Sequence, residues 1–194
     1  MSVTFDQNRS ASAGPGFEEI LTLRRQQPIA MAATGNVVAN TPTGPRRRTG
    51  RSLTIMALNV DLLRSSFNLV IEIEPDLTGK FYATLFEQRP EARALFGADT
   101  RKQSDMLAGA LIAVVDHLED GEWLTDTLGG LGAKHPGYGV TPDMYEWVGT
   151  ALLTTLAAAA GDAWTDELNT AWADAYGAIS SLMIAGVDEA SIAA

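Results

Sequence analysis

TPDMYEWVGTALLTTLAAAA, Thr141 to Ala160, is the stretch whose reading decides the fold class. It opens on a hydroxyl, a proline and a carboxylate. Those residues offer an oxygen to an orphan amide, a φ already near helical, and negative charge at the positive end of the helix dipole. Met144, Val148, Ala151, Leu152 and Thr155 then recur at helical spacing and predict one inward face. Gly161 closes the run about five turns on.

The same period extends in both directions. Downstream, Thr165-Asp166-Glu167 starts another helix, with Leu168, Ala171, Trp172, Ala175, Ile179 and Leu182 on one face. Upstream, Trp123 to Lys134 predicts a helix weakened by Gly129, Gly130 and Gly132 and stopped by Pro136 and Gly137. Asp99 or Thr100 caps a long helix whose expected inner face is Gln103, Leu107, Ala110, Leu111, Val114 and Leu118. Pro90 opens a short helix that Gly97 breaks after Phe96. Leu77, Phe81 and Leu85 form a stripe with Tyr82 and Phe86 beside it, and Val60, Leu63, Phe67 and Val70 form another. No segment alternates with period two for the length of a strand. The predicted class is all-α.

Composition narrows the function. The 194 residues are 46% hydrophobic and 20% charged, the balance of a folded soluble domain. The longest apolar stretch, Ala151 to Ala160, is far short of a membrane span. The start, MSVTFDQNRS, lacks the basic and apolar regions of a secretory signal, so the expected setting is the cytoplasm. Cysteine is absent, which excludes disulfide frameworks, thiol catalysis and thiolate metal sites together. A net charge of −10 has the wrong sign for gripping nucleic acid.

The charge is unevenly placed. Residues 1–55 carry seven arginines against Asp6, Glu18 and Glu19, whereas residues 56–194 carry seven basic groups against 21 acidic ones. The first segment is rich in Pro, Gly, Ser and Thr and has no period. It reads as a disordered tail, or as sequence ahead of a true start at Met56. A net of +4 over 55 residues is a weak patch for a basic arm. The expected domains are therefore an extension, 1–55, and a folded domain, 56–194.

Few residues here can do chemistry. There are two histidines, His117 and His135, no GxSxG turn and no phosphate-cradling glycine loop. The acidic group Asp116, Glu119, Asp120 and Glu122 reads as a solvated helix end. His135 ends a glycine-rich helix where the chain turns, and a lone histidine there is more often structural than a ligand.

Four segments change that weighting: KFYATLFEQRPEARALF (Lys80 to Phe96), QSDML (Gln103 to Leu107), KHPGYGVTPDMYEWVG (Lys134 to Gly149) and AWADAYGAI (Ala171 to Ile179). In order and spacing they resemble bacterial globins of the flavohaemoglobin and single-domain haemoglobin group, over about 128 residues from Leu58 to Ala185. The resemblance implies a three-over-three helical sandwich around haem b, with His135 as the proximal iron ligand. It implies that Tyr82, Gln103 and Leu107 line the distal, gas-binding side. Phe96 would wedge against the haem face, Tyr145 would orient the proximal imidazole, and Lys134, Val140 and Val148 would complete the cofactor's surroundings.

The spacing agrees with this placement. Gln103 and Leu107 are one helical turn apart on one face, and His135 follows Gln103 by 32 residues, enough for a helix to return beneath the pocket. His117 lies 14 residues beyond Gln103, about 21 Å along the axis, so it reads as a surface histidine.

Two departures from the family stand out. The chain ends at Ala194, soon after the last helix, whereas flavohaemoglobins continue into flavin- and nicotinamide-binding domains, so redox turnover would need a separate reductase. An ungapped match also puts Val187 where the family carries a glutamate beside the proximal histidine. A less anionic imidazole favours reversible ligand binding. The resemblance thus implies reversible dioxygen binding by a monomer or homodimer, with nitric oxide and carbon monoxide as further ligands and no nucleic-acid or membrane partner. Nitric oxide dioxygenation with an external reductase, and haem binding or shuttling, are the alternatives.

Overall fold

The computed structural model describes residues 58–192, so the expectations for residues 1–55 and for a start at Met56 lie outside the described residues. Six α-helices follow one another: α1 Val60–Ile73, α2 Leu77–Gln88, α3 Arg101–Asp116, α4 Gly121–Gly132, α5 Met144–Ala160 and α6 Asp166–Ile192. Short 3₁₀ turns lie at Pro90–Leu95, His135–Tyr138 and Gly161–Ala163, and the described residues hold no strand.

Local chemistry sets most of the helix starts. Asn59 Oδ1 accepts from the Leu62 amide at 3.1 Å, Asp120 Oδ1 from Trp123 at 3.0 Å, and Thr165 Oγ1 from Leu168 at 3.2 Å. At α3 the carboxylate does the work: Asp99 Oδ1 accepts from the Arg101 amide at 3.0 Å, while Thr100 makes no side-chain cap bond. One expected cap is different. Thr141 Oγ1 donates to Asp143 Oδ1 at 2.6 Å, so its hydroxyl closes a polar turn and α5 begins only at Met144.

α1 packs on α3, α5 and α6, α2 on α3 and α5, α5 on α6, and α4 lies along α6. The core draws on the predicted stripes, including Leu63, Phe67 and Val70, Leu77 and Phe81, and Leu168 and Trp172. Trp172 Nε1 donates to Ser66 Oγ at 3.0 Å, and Ser66 Oγ donates to the Leu63 carbonyl at 3.1 Å, so this buried polar pair is satisfied.

Two expectations about helix faces need correction. On α3 the buried stripe is Ala108, Ile112 and Val115, while Gln103, Leu107, Leu111 and Val114 are half-buried and Ala110 is exposed. That helix presents one apolar face to α1 and α2 and a second, adjacent face elsewhere. The glycines of α4 are also more than weak points. A Cβ on Gly132 would lie 2.6 Å from Met183 Cα, and one on Gly186 would lie 2.6 Å from Gly129 Cα, so α4 and α6 cross with backbone against backbone.

Candidate functional site

On the second face of α3, Val114 packs against the cluster of Leu124 and Leu128 of α4 and Leu182 of α6. Leu107 and Gln103 lie two and three turns back along the same face, about 10 and 16 Å toward the helix N-terminus.

His135 is held by the helix that delivers it. Its Nδ1 lies 2.8 Å from the carbonyl oxygen of Leu131, one turn back. A carbonyl can only accept, so Nδ1 donates to it, which orients the ring and leaves Nε2 as the nitrogen outside this bond. Gly139, at φ +81°, lets the chain reverse immediately after the 3₁₀ turn, bringing Val140 and Pro142 back beside the ring.

Those residues join Pro136, Tyr145, Ile184 and Val187 around a cavity of about 50 Å³. A pocket for a whole small-molecule cofactor takes about 300–1,000 Å³. The seven residues therefore make one wall of such a site, not all of it. The wall is apolar except for His135 and Tyr145, whose rings lie 5.9 Å apart at 36°. The Tyr145 carbonyl accepts from Tyr176 Oη at 2.5 Å, but its own hydroxyl is buried with no hydrogen-bond partner. Burial pushes the phenol pKa upward, so it stays a donor. An orphaned buried hydroxyl costs about 1–3 kcal/mol and suits a site completed by a polar group from outside.

A separate aromatic cluster lies on α2 and the loop that follows it. Tyr82 packs against Phe81 at 5.0 Å and Phe96 at 5.3 Å, both edge to face, and Phe86 lies 5.4 Å from Phe96. Arg93 holds the loop beneath this cluster, donating to the carbonyls of Phe96, Gly97 and Ala98, with its guanidinium 5.0 Å over Phe86. Burial raises the Tyr82 pKa to about 12, so its hydroxyl remains protonated through the physiological range. At the mouth, the Leu95 side chain lies 3.5 Å from where a Gly139 Cβ would stand, joining the aromatic loop to the turn after His135.

His135, Tyr145 and Val140 thus meet around the cavity, and Tyr82 and Phe96 meet in the aromatic cluster. Gln103 and Leu107, half-buried one turn apart on α3, line neither. Val148 is half-buried one turn beyond Tyr145, and Lys134 is exposed; neither lines the cavity. Val187 does line it, beside His135. His117 is not a free surface residue. It is half-buried, stacks on Trp123 at 4.0 Å and 15°, and places Nδ1 2.8 Å from the Ala113 carbonyl at the end of α3. Sequence reasoning missed the Leu131 carbonyl, though its i−4 spacing from His135 was visible. It also missed Tyr138, 67% exposed with its ring 6.5 Å from that of His135.

Among the described residues no three His, Cys, Asp or Glu side chains converge on a metal site. The cavity lining holds one such side chain, His135, and a porphyrin iron needs one protein ligand on that side. An apolar wall and an imidazole whose Nε2 lies outside the Leu131 bond fit that group.

Comparison with known proteins agrees with the geometry. The sequence profile of the globin family matches residues 79–183, more than half of the chain. The chain belongs to the globin family. This globin is 37% identical over 111 residues to a flavohemoprotein of Deinococcus radiodurans and 34% identical over 126 residues to one of Bordetella pertussis. Those alignments cover 56% and 63% of this chain but only 28% and 31% of the relatives, so it spans about a third or less of their length. Among solved structures, a bacterial globin of Campylobacter jejuni superposes with a TM-score of 0.58 at 22% identity, over 67% of this chain and 94% of that one. An engineered carbene transferase, a suspected nitric oxide dioxygenase from Rhodothermus marinus, gives 0.61 at 24% identity, over 69% and 94%. Both likenesses are of fold. Haem binding follows from the family, and no helix among the described residues is long and apolar enough to cross a membrane.

Proposed function

We propose that this globin holds haem b through His135 Nε2 and binds dioxygen reversibly on the side walled by Tyr82, Gln103 and Leu107, for storage, delivery or sensing of oxygen. The observation that carries the reading is the hydrogen bond from His135 Nδ1 to the Leu131 carbonyl, which orients the ring in an apolar wall. When bound, haem supplies an iron centre with one position open to a diatomic gas. The chain supplies everything else. Val140, Pro142, Ile184 and Val187 exclude water on the proximal side, while Phe96 and Phe86 do so on the other. Tyr82, kept protonated by burial, and Gln103 would be the hydrogen-bond donors to the gas. Tyr145 offers its unpartnered hydroxyl beside His135, while Val148 and Lys134 flank the site.

Nitric oxide dioxygenation with an external reductase is the second reading, supported by the Rhodothermus neighbour and by the flavohemoprotein names of the relatives. The proximal side favours the first. The imidazole donates to a neutral carbonyl, and Val187 occupies the wall where a carboxylate would make it more electron-rich.

The test is the absorption spectrum of the purified full chain, reduced and then exposed to carbon monoxide, beside that of His135→Gly. The expected result is a five-coordinate reduced haem that shifts on carbon monoxide, with the reduced bands altered in His135→Gly and restored by free imidazole. Identical bands in the two proteins would refute His135 as the ligand. Sustained nitric oxide consumption with a reductase present would favour the second reading.

A further inference from the structure

We infer that the glycine crossing between α4 and α6 sets the stand-off of the proximal imidazole, making Gly132 and Gly186 positioning residues for the site. The inference rests on His135 being the iron ligand. Gly132 is the last residue of α4, and a Cβ there would lie 2.5 Å from the Met183 carbonyl carbon and 2.6 Å from its Cα. A Cβ on Gly186 would lie 2.6 Å from both Cα and the carbonyl carbon of Gly129. Carbon atoms settle about 3.5–4.0 Å apart, so either methyl would drive the helices apart by about 1 Å. The obstacles are backbone atoms, which no rotamer change can clear.

The displacement would reach His135 because the ring is tied to the same turn. Its Nδ1 bonds to the carbonyl of Leu131, the neighbour of Gly132, and the Lys134 amide donates to that carbonyl at 3.1 Å. The far side of the crossing is equally committed. Met183 and Gly186 make the close approach from α6, while Ile184 and Val187 of the same two turns line the cavity against His135. One helix segment therefore fixes both the height of the imidazole and the wall behind it. Functional geometry is held to within about 0.5 Å, so a 1 Å retreat is large. Gly130, two residues before Gly132, behaves otherwise: a Cβ there meets nothing within 4 Å.

The readout is the iron–histidine stretching band of the reduced, haem-loaded full chain, measured by resonance Raman spectroscopy, with oxygen dissociation alongside. Gly132→Ala and Gly186→Ala should move the band by more than its half-width, whereas Gly130→Ala should leave it in place. In a His135→Gly background with free imidazole, whose ligand is no longer tethered to α4, adding Gly132→Ala should not move the band. A shift there equal to that in the tethered protein would overturn the inference, because it would reflect general loosening. If neither alanine variant folds, Met183→Ala decides. That half-buried side chain packs against the cluster of Leu124, Leu128 and Leu182, and its loss loosens the side-chain packing that presses the two backbones together, without a clash. A broadened band supports the inference and an unchanged one overturns it. A wild-type chain with no such band overturns the His135 assignment and the inference with it. A wild-type band unmoved by Gly132→Ala overturns the inference alone.

Discussion

Replacing Tyr82 by phenylalanine isolates one hydroxyl. The ring's edge-to-face contacts with Phe81 at 5.0 Å and Phe96 at 5.3 Å survive, since they are made by carbon, so the fold should not weaken. What disappears is a donor that stays protonated because burial raises its pKa to about 12. A hydrogen bond to a charged acceptor contributes about 1.5–3 kcal/mol, and each 1.4 kcal/mol is about tenfold in an equilibrium or a dissociation rate. Tyr82→Phe should therefore speed dioxygen release by about 10- to 100-fold while leaving carbon monoxide, a weaker acceptor, far less affected. Stopped-flow displacement of dioxygen by excess carbon monoxide measures this directly. An unchanged dioxygen off-rate in a protein of unchanged melting temperature would show that the hydroxyl points away from the gas, and the distal assignment would fail.

Three further outcomes follow from the packing. Gly149→Ala places a methyl 2.5 Å from the Tyr176 ring, so urea unfolding should show a loss of about 1–3 kcal/mol; an unperturbed midpoint would mean that the ring moves freely. Trp172→Phe removes the donor to Ser66 Oγ and should cost about 1 kcal/mol or more by thermal melting, with Ser66→Ala in the same background adding little if the two act as a pair. Tyr82 binds its proton more tightly folded than unfolded, so the stability this confers is full below the unfolded tyrosine value near 10 and is lost as pH rises to about 12. Denaturation measured across that window should lose about 2 kcal/mol more in the wild type than in Tyr82→Phe, and equal losses would contradict the burial argument.

The helices were legible because each carries local signals. Thr165 and Asp120 cap where a hydroxyl and a carboxylate precede apolar spacing, and the stripes on α1, α2 and α6 are buried except for half-buried Val60, Ala171 and Ile179. The errors arose where the deciding contact was remote or doubled. Thr141 had two chemically reasonable partners, an amide and the Asp143 carboxylate, and residue type does not rank them. On α3, two neighbouring apolar stripes have the same period, so spacing alone could not say which meets the core. Gly132 looked like a defect because helix propensity describes an isolated helix, whereas Met183 lies 51 residues away in sequence. For the candidate site, His135 and Tyr82 became visible through resemblance rather than spacing. Its apolar wall needed the fold, because Ile184 and Val187 look like any other helical hydrophobes.

The proximal wall joins residues made at different moments. His135 precedes Val187 by 52 residues, which at about 5–20 residues per second is about 3–10 s of synthesis. During that interval a nascent chain carries the proposed ligand without the α6 side chains that line the cavity beside it. The proposed assignment thus expects pigment capture only after the sixth helix leaves the ribosome, so ribosome-stalled fragments ending before residue 184 should stay colourless in the presence of hemin.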